Sequence, residues 1–463
     1  MTAGAQRPKT ATRLPAFKAY DIRGTVPAQL DPAIAYKAAR AFAEWSRADE
    51  VIVGRDARLS SPALAEAVIN GLMENGVTVW DVGVVSTPIL NFAVATHRRH
   101  GMMITASHNP KEYNGIKLID PSAEQIYYGR GLEVMEALVV AGRFADAGRR
   151  GRVLVKPILQ AYQDNLAETF QRAGLGALSV AIDCSNGVGG LPLGVLERLG
   201  VPFTLLHHVP DGNFPHHGCD TLRPENLRDL QQAVRAQRAD LGVMFDGDAD
   251  RVVFVDEQGM IAPIDRIFVL LARQELEMKK GRIFYDLRFS RAVQEEIEAS
   301  GGTAVTMRVG NPFYKEALHR HADGLLAGEL SGHIMYKEHF CVDDALFAAL
   351  KLMACLVRSG RPLSSLLRPL ERYAGSGELR IRADDPQRLV DSVKQRYRDA
   401  EISELDGVTV RYADWWMNLR PSNTEPVAKL VMEANSQANL DRFKTEVLGL
   451  IAQHGGALES HAA

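Results

Sequence analysis

Four short polar stretches in this 463-residue chain carry side chains able to do chemistry. The first, ITASHNPKEYNGIKL at 104–118, sets Ser107 beside His108 and ends with Lys117. HGMMITA, which leads into Ser107, is apolar and rich in β-formers. SHNPKEYNG holds a proline, two asparagines and a glycine, so a strand ends where an irregular loop begins. Ser107 therefore tops a strand, the place where open α/β sheets bind ligands. The competing reading is a turn whose side chains satisfy only their own backbone.

The second stretch, DGDADR at 246–251, alternates Asp246, Asp248 and Asp250, and Gly247 allows a tight backbone on which short carboxylates converge. Such hard oxygens suit Mg²⁺, which takes a few carboxylates together with water or phosphate oxygens. Calcium-binding helix–loop–helix segments also begin with alternating acids, but here the apolar strand residues LGVMF and VVFVD flank the cluster. A purely structural turn would leave three carboxylates repelling one another. Arg251 is placed to offset that charge or to hold a phosphate.

In GELSGH at 328–333, Glu329, Ser331 and His333 alternate between glycines that leave room for a ligand to approach the backbone, a mixture that fits polyol recognition. In RPSNTEP at 420–426, Arg420 offers a planar fork for phosphate, with Ser422, Asn423 and Thr424 as neutral donors around it. Either stretch alone could be a solvated turn. Four such loops in one chain are harder to explain that way.

The elements that must position them repeat. An amphipathic helix, a glycine-marked stop and a strand recur near 62–83, 194–208 and 291–310, each preceded by a strand (VIVGRD, SVAIDCSNG, GRIFYDLRFS). After each unit another strand runs into one of the polar loops TASHNP, DGDADR or GELSGH. This rhythm predicts three similar mixed α/β domains with largely parallel sheets. Beyond about 368 the texture changes to strand-like GELRIRA, DGVTVRYADWWMNLR and VAKLVMEA, with helical segments at 386–399 and 438–453, which predicts a smaller α+β domain. The expected divisions are a disordered tail at 1–14 and domains at 15–153, 154–256, 257–367 and 368–463.

Composition fits a globular protein of several domains, with 46% hydrophobic and 24% charged residues. A formal net charge of −3 offers no global attraction to nucleic acid or anionic membrane. Neither partner is expected. Cys184, Cys219, Cys341 and Cys355 form no CxxC pair and are expected as free thiols in a reducing compartment. The basic, polar start MTAGAQRPKTATRLP lacks an apolar segment, and no run approaches the roughly 18 apolar residues of a membrane span, so a cytoplasmic location is expected.

KAYDIRG (18–24), TASHNP, DGDADR, GELSGH and RPSNTEP resemble, in order and approximate spacing, the motifs of the bacterial phosphomannomutase/phosphoglucomutase family of the α-D-phosphohexomutase superfamily. The resemblance covers nearly the whole chain. It implies four domains around a central cleft, Ser107 as the phosphoserine, and Mg²⁺ held by Asp246, Asp248, Asp250 and the Ser107 phosphate. It implies supporting positive charge from Arg23, Lys117 and Arg251, proton transfer by His108, and Tyr20 near the substrate. Glu329, Ser331 and His333 match the sugar-hydroxyl loop, while Arg420, Ser422, Asn423 and Thr424 match the loop that grips the phosphate not being transferred. Hexose 1-phosphate and hexose 6-phosphate would then interconvert through hexose 1,6-bisphosphate, which serves as intermediate and activator, in a monomer or weak oligomer acting on small phosphosugars.

Two positions depart from the family pattern: Arg288 in YDLRF replaces a lysine and Asn311 in VGNP replaces a histidine. Both are expected to line the cleft and tune hexose choice or bisphosphate reorientation. Phosphoglucosamine mutase is an alternative, but AYDIRG and the leucine of GELSGH look more like the mannose/glucose enzymes. A phosphatase would release inorganic phosphate steadily, and a sugar-phosphate binding protein would show no isomerisation.

Overall fold

The computed structural model describes residues 13–422 and 427–459. One topology appears three times. In the first sheet Glu50–Arg55 is flanked by the parallel strands Thr78–Val84 and His100–Ile104, and the latter is followed by antiparallel Tyr113–Ile119. Val180–Asp183, Phe203–Leu206, Leu241–Phe245 and Val252–Val255 repeat the arrangement in the second sheet. Arg282–Asp286, Thr303–Met307, Gly324–Gly328 and Ile334–Tyr336 repeat it in the third. The first strand of each unit has its two parallel partners on opposite sides, so the chain reverses its direction of winding there. The loop leaving the third strand sits at that switch point, where strand ends leave a crevice. Those three loops carry Ser107, the aspartates and Glu329.

Alternation along the strands builds two cores around the first sheet. Val51 and Val53 face a core confined to the first domain, while Ile52 faces a core that continues through Phe92, Tyr162, Phe254, Phe268 and Phe347 across the first three domains. The bridge is the helix Thr87–His97, which starts at a Ser86 cap whose Oγ accepts from Ile89 N at 3.3 Å, with Pro88 in its first turn. Eight of its residues, Thr87 to Val94, are buried. Domains one to three are therefore packed as a single apolar body.

The expected boundary at 153/154 falls inside an edge strand, and the one at 256/257 falls in the turn of an antiparallel pair. Val153–Val155 pairs with Thr78–Val84 at the edge of the first sheet, and Ile261–Ala262 pairs with Val252–Val255 at the edge of the second. Of the expected tail at 1–14, residues 1–12 lie outside the described ones, and Leu14 N donates to Glu136 Oε1 at 2.8 Å.

The fourth domain is an antiparallel sheet built mainly from Ala374–Arg382, Val408–Arg411, Trp415–Pro421 and Val427–Ala434, packed on the helices Pro386–Arg396 and Gln437–Gln453. Its core is its own. Its links to the third domain are polar: Arg291 donates to the Ala413 and Tyr412 carbonyls at 2.7 and 2.9 Å, and Val309 N donates to Asp406 at 3.1 Å. A cavity of about 490 Å³, lined by Tyr285, Arg291, Glu295, Arg411, Tyr412 and Trp416, lies in the same interface. Such an interface couples two units weakly. Calorimetry should therefore resolve two transitions, the smaller from the fourth domain. Leu430→Ala, at a fully buried site, should destabilise only the smaller one, by about 2–5 kcal/mol. A single transition shifted as a whole would contradict this.

Candidate active site

Ser107 is 2% exposed and adopts a left-handed backbone, φ 51°, a conformation costing a non-glycine residue about 1 kcal/mol or more. Its loop is held from both sides. Ser107 N donates to Thr105 Oγ1 at 2.9 Å, while Arg58, itself 1% exposed, donates through Nη2 to the carbonyls of Ser107 and Asn109, both at 2.7 Å. Nη1 of the same guanidinium reaches the carbonyls of Pro110 and Tyr113 at 2.7 and 3.1 Å. Asp56 neutralises it at 3.2 Å. The hydroxyl so presented donates to Asp246 Oδ2 at 2.6 Å and lies 3.4 Å from His108 Nδ1. Burial, then Arg251 and Arg23, hold His108 well below the ordinary histidine range.

Asp246, Asp248 and Asp250 are at most 1% exposed, and one oxygen of each lies within 4.8 Å of the others. Burial, then repulsion from Asp248 and Asp250, raises the Asp246 carboxyl well above its usual range. Lys117 answers from the first domain. It stands on Tyr113–Ile119, and its Nζ bonds Asp248 at 2.7 Å and also Asp250. Burial opposes that ammonium, but the surrounding carboxylates keep it charged. At the start of the bridging helix, Thr87 donates to Asp248 through Oγ1 at 2.6 Å and through its backbone N at 3.0 Å. Asp248 Oδ1 and Asp250 Oδ1 nonetheless remain buried with no hydrogen-bond partner. Convergent carboxylates with orphaned oxygens fit a divalent cation. Glu257, twelfth counting from Asp246 and the position of the last calcium ligand in helix–loop–helix sites, is engaged instead by Ser364 N at 3.1 Å.

Arg23 lies opposite Gly115 on the neighbouring strand, on the same face as Lys117. It bonds Asp21 at 2.6 Å, Asn109 Oδ1 at 2.7 Å and the Ala106 carbonyl at 3.2 Å. Arg251 donates from Nε to His333 Nε2 at 3.1 Å, and His333 Nδ1 faces the Asp250 carbonyl at 3.1 Å and Asp343 at 3.2 Å. Both nitrogens of His333 are thus used inside the protein. His333 ties the third loop to the second. Gly332, φ 93°, permits that approach, since a Cβ there would lie 2.6 Å from the Val252 carbonyl. Ser331 Oγ is buried without a partner, and Glu329 lies 3.6 Å from Arg288.

Arg288 is 8% exposed and is bound by Asp286 at 2.5 Å and Glu378 at 3.1 Å, so it meets the cleft already neutralised. Asn311 Nδ2 donates to Asp343 at 2.5 Å while its Oδ1 stays buried and unpartnered. Arg420 also binds Glu378, at 3.0 Å, and Ser422 N donates to the Val427 carbonyl at 2.8 Å. Asn423 and Thr424 lie outside the described residues. Tyr20 donates to the Val309 carbonyl at 3.3 Å and packs edge-on to Phe313; burial pushes its hydroxyl up to about 12. Among the described residues, Glu378 therefore joins Arg420 of the fourth domain to Arg288 of the third, which lies 3.6 Å from Glu329.

Phosphoglucomutase/phosphomannomutase alpha/beta/alpha domains I, II and III match residues 15–129, 160–259 and 263–373, and the C-terminal domain of that family matches 378–450. The chain belongs to the phosphoglucomutase/phosphomannomutase family. It is 32% identical to a phosphomannomutase of Methanocaldococcus jannaschii, over 96% of this chain and 98% of that one. It is 36% identical to a phosphomannomutase/phosphoglucomutase of Pseudomonas putida, over 92% and 93% respectively. A crystal structure of a phosphoglucomutase/phosphomannomutase family protein from Burkholderia thailandensis superposes with a TM-score of 0.85 at 32% identity, covering 96% of this chain and 98% of that chain.

Sequence reasoning missed four residues that shape this family site: Arg58, Thr87, Asp343 and Glu378. Arg58 and Thr87 had a local signal, since each follows a strand end or a helix cap of the first sheet. Asp343 and Glu378 had none. Arg58→Lys keeps the charge but loses the fork that spans four carbonyls. It should lower stability by about 2–4 kcal/mol and turnover at least about tenfold, with the helical circular dichroism of the wild type retained. Wild-type turnover in this variant would dismiss the positioning role.

Proposed function

We propose that the chain interconverts hexose 1-phosphate and hexose 6-phosphate by passing a phosphoryl group between Ser107 and the sugar. The observation that carries this reading is the Ser107 hydroxyl 2.6 Å from Asp246, inside a triad with unpartnered oxygens and cations supplied by neighbouring loops. A serine phosphate ester is stable, so transfer depends on charge neutralisation and in-line positioning. Mg²⁺ held by Asp246, Asp248, Asp250 and the Ser107 phosphate would supply that neutralisation when bound. Arg23, Lys117 and Arg251 add positive charge around the transferred group. His108, neutral at its depth, takes the proton of the attacking sugar hydroxyl and returns it in the reverse step.

The other end of the substrate is assigned to Arg420, Ser422, Asn423 and Thr424, with Arg288 at its edge and Tyr20, Glu329 and Ser331 along the sugar. The bisphosphate made in the first transfer turns over before its second phosphate returns to Ser107. Relatives named for mannose, for glucose and for both support a hexose cleft of broad tolerance over one for glucosamine.

Intact-mass analysis should show a phosphorylated form, discharged by excess hexose monophosphate and absent from Ser107→Ala. That variant should lose turnover at least about 10⁴-fold. Isomerisation persisting in it would sink the proposal.

Glu378 supplies a second test. Its carboxylate joins Arg420, assigned to phosphate, Arg288 at the edge of that site and the neighbouring Lys429, and despite burial these cations pull it down to about 2. A substrate phosphate must compete with it. Glu378→Gln should lower the KM for hexose monophosphate about two- to fivefold, the equivalent of one partly exposed ion pair. A group depressed in the folded state stabilises above its unfolded value and ceases to do so as pH falls through the folded one. The deficit in Tm of Glu378→Gln relative to wild type should therefore be full above about pH 5 and close toward pH 2. A deficit independent of pH, with an unaltered KM, would remove Glu378 from the phosphate site.

A further inference from the structure

Outside the cleft, the second domain gathers a set of ligand-type side chains that phosphoryl transfer does not use. Asp183, at the carboxyl end of Val180–Asp183, is fully buried, and its Oδ2 lies 3.0 Å from His217 Nε2 and 3.9 Å from His207 Nε2. One ligand atom from each of the three lies within 4.8 Å of the others. Asp229 Oδ2 approaches His207 Nε2 from the opposite helix at 3.1 Å. Both histidine side chains are nearly enclosed, at 12% and 10% exposure.

Hydrogen bonding fixes what this cluster wants. His217 Nδ1 lies 2.8 Å from the Gly218 carbonyl, which can only accept, so the ring proton belongs on Nδ1. Nε2 then directs a lone pair at a carboxylate oxygen. Two acceptors at 3.0 Å need a cation between or beside them, either a second proton or a metal. A backbone carbonyl behind the far ring nitrogen is also the arrangement that orients metal-bound histidines. Around a four-coordinate ion with bonds of about 2.0–2.1 Å, neighbouring ligand atoms stand roughly 3.3 Å apart, close to the 3.0 and 3.9 Å seen here. Two imidazoles and a carboxylate suit Zn²⁺, Co²⁺ or Ni²⁺; the all-oxygen triad suits Mg²⁺.

We propose that Asp183, His207 and His217 form a second, transition-metal site, with water as fourth ligand, that clamps the 207–219 segment onto the catalytic loops. The segment is anchored at both ends by the histidines. Between them Phe214 lies under the Arg58 guanidinium, 5.1 Å from its centre, and beyond them the Cys219 thiol donates to the Ser107 carbonyl at 3.4 Å. From the Asp183 side, Ser185 Oγ donates to the Phe245 carbonyl at 2.7 Å, next to Asp246. An ion here would brace both the serine loop and the metal loop while touching no substrate.

The test uses the full chain, stripped with chelator and then held in excess Mg²⁺ so that oxygen-only sites are filled. Titration with Co²⁺ should show one equivalent bound, with the visible bands of a four-coordinate nitrogen-containing site, and Zn²⁺ should displace it. Zn²⁺ should also raise the Tm. In the double variant His207→Gln/His217→Gln, affinity should fall at least about tenfold and the Tm rise should vanish, while far-ultraviolet circular dichroism stays that of the wild type. If that variant does not fold, His217→Gln alone must show the loss. Binding and bands unchanged in the variant would overturn the proposal. So would their loss in His333→Gln instead, which would place the ion at Asp250, His333 and Asp343 in the cleft, and so would a wild type that binds no Co²⁺ under excess Mg²⁺.

Discussion

Three carboxylates buried in one six-residue loop cannot all stay ionised unless positive charge is brought to them. Asp246, Asp248 and Asp250 are almost without solvent, and the loop's own cation, Arg251, offsets only part of the charge on Asp246. The rest of the compensation comes from elsewhere. Lys117 enters from the first domain, together with the amino end of the helix at Thr87, whose dipole also favours an anion. A buried ion pair broken on one side costs several kcal/mol, so the loop and Lys117 hold one another in place. The single apolar core shared by the first three domains is the framework that makes this meeting rigid.

The polar network continues past the triad. Asp343 takes Lys315 at 2.6 Å, Asn311 at 2.5 Å and His333 at 3.2 Å; the Lys315 charge first, with the bond from His333, outweighs its burial and holds it well below the carboxylate range. Through His333 and Arg251 the third domain is fixed to the metal loop. By contrast, the fourth domain meets the others through polar contacts and a cavity. Glu378 ties it to the third domain by pairing with Arg288 as well as with Arg420. The first three domains are thus joined by a shared core, and the fourth by polar contacts.

Much of this was legible in the chain itself. Apolar runs of period two ending in polar loops placed Ser107, the aspartates and Glu329 at strand ends, because strand and loop patterns are local. Short edge strands such as Val153–Val155 were not legible, since three residues carry too little pattern. The polar, glycine-rich loop of His333 was legible, but the partners of its ring were not. Both of its nitrogens are taken by residues 82 or more positions away or by Asp343, which no local pattern reveals.

By itself the sequence determined the repeated strand–helix–strand units, the order of the four loops and the residue types each loop presents. Backbone propensity, side-chain alternation and turn chemistry act over a few neighbouring residues, so they can be read from a single stretch. Only the tertiary structure decided which charges meet. Arg58 becomes the support of the serine loop by folding its guanidinium onto carbonyls about fifty positions away, and Lys117 becomes the counter-ion of a loop in another domain. Electrostatic energy depends on distance in space and on exclusion of water, and both are set by packing between domains.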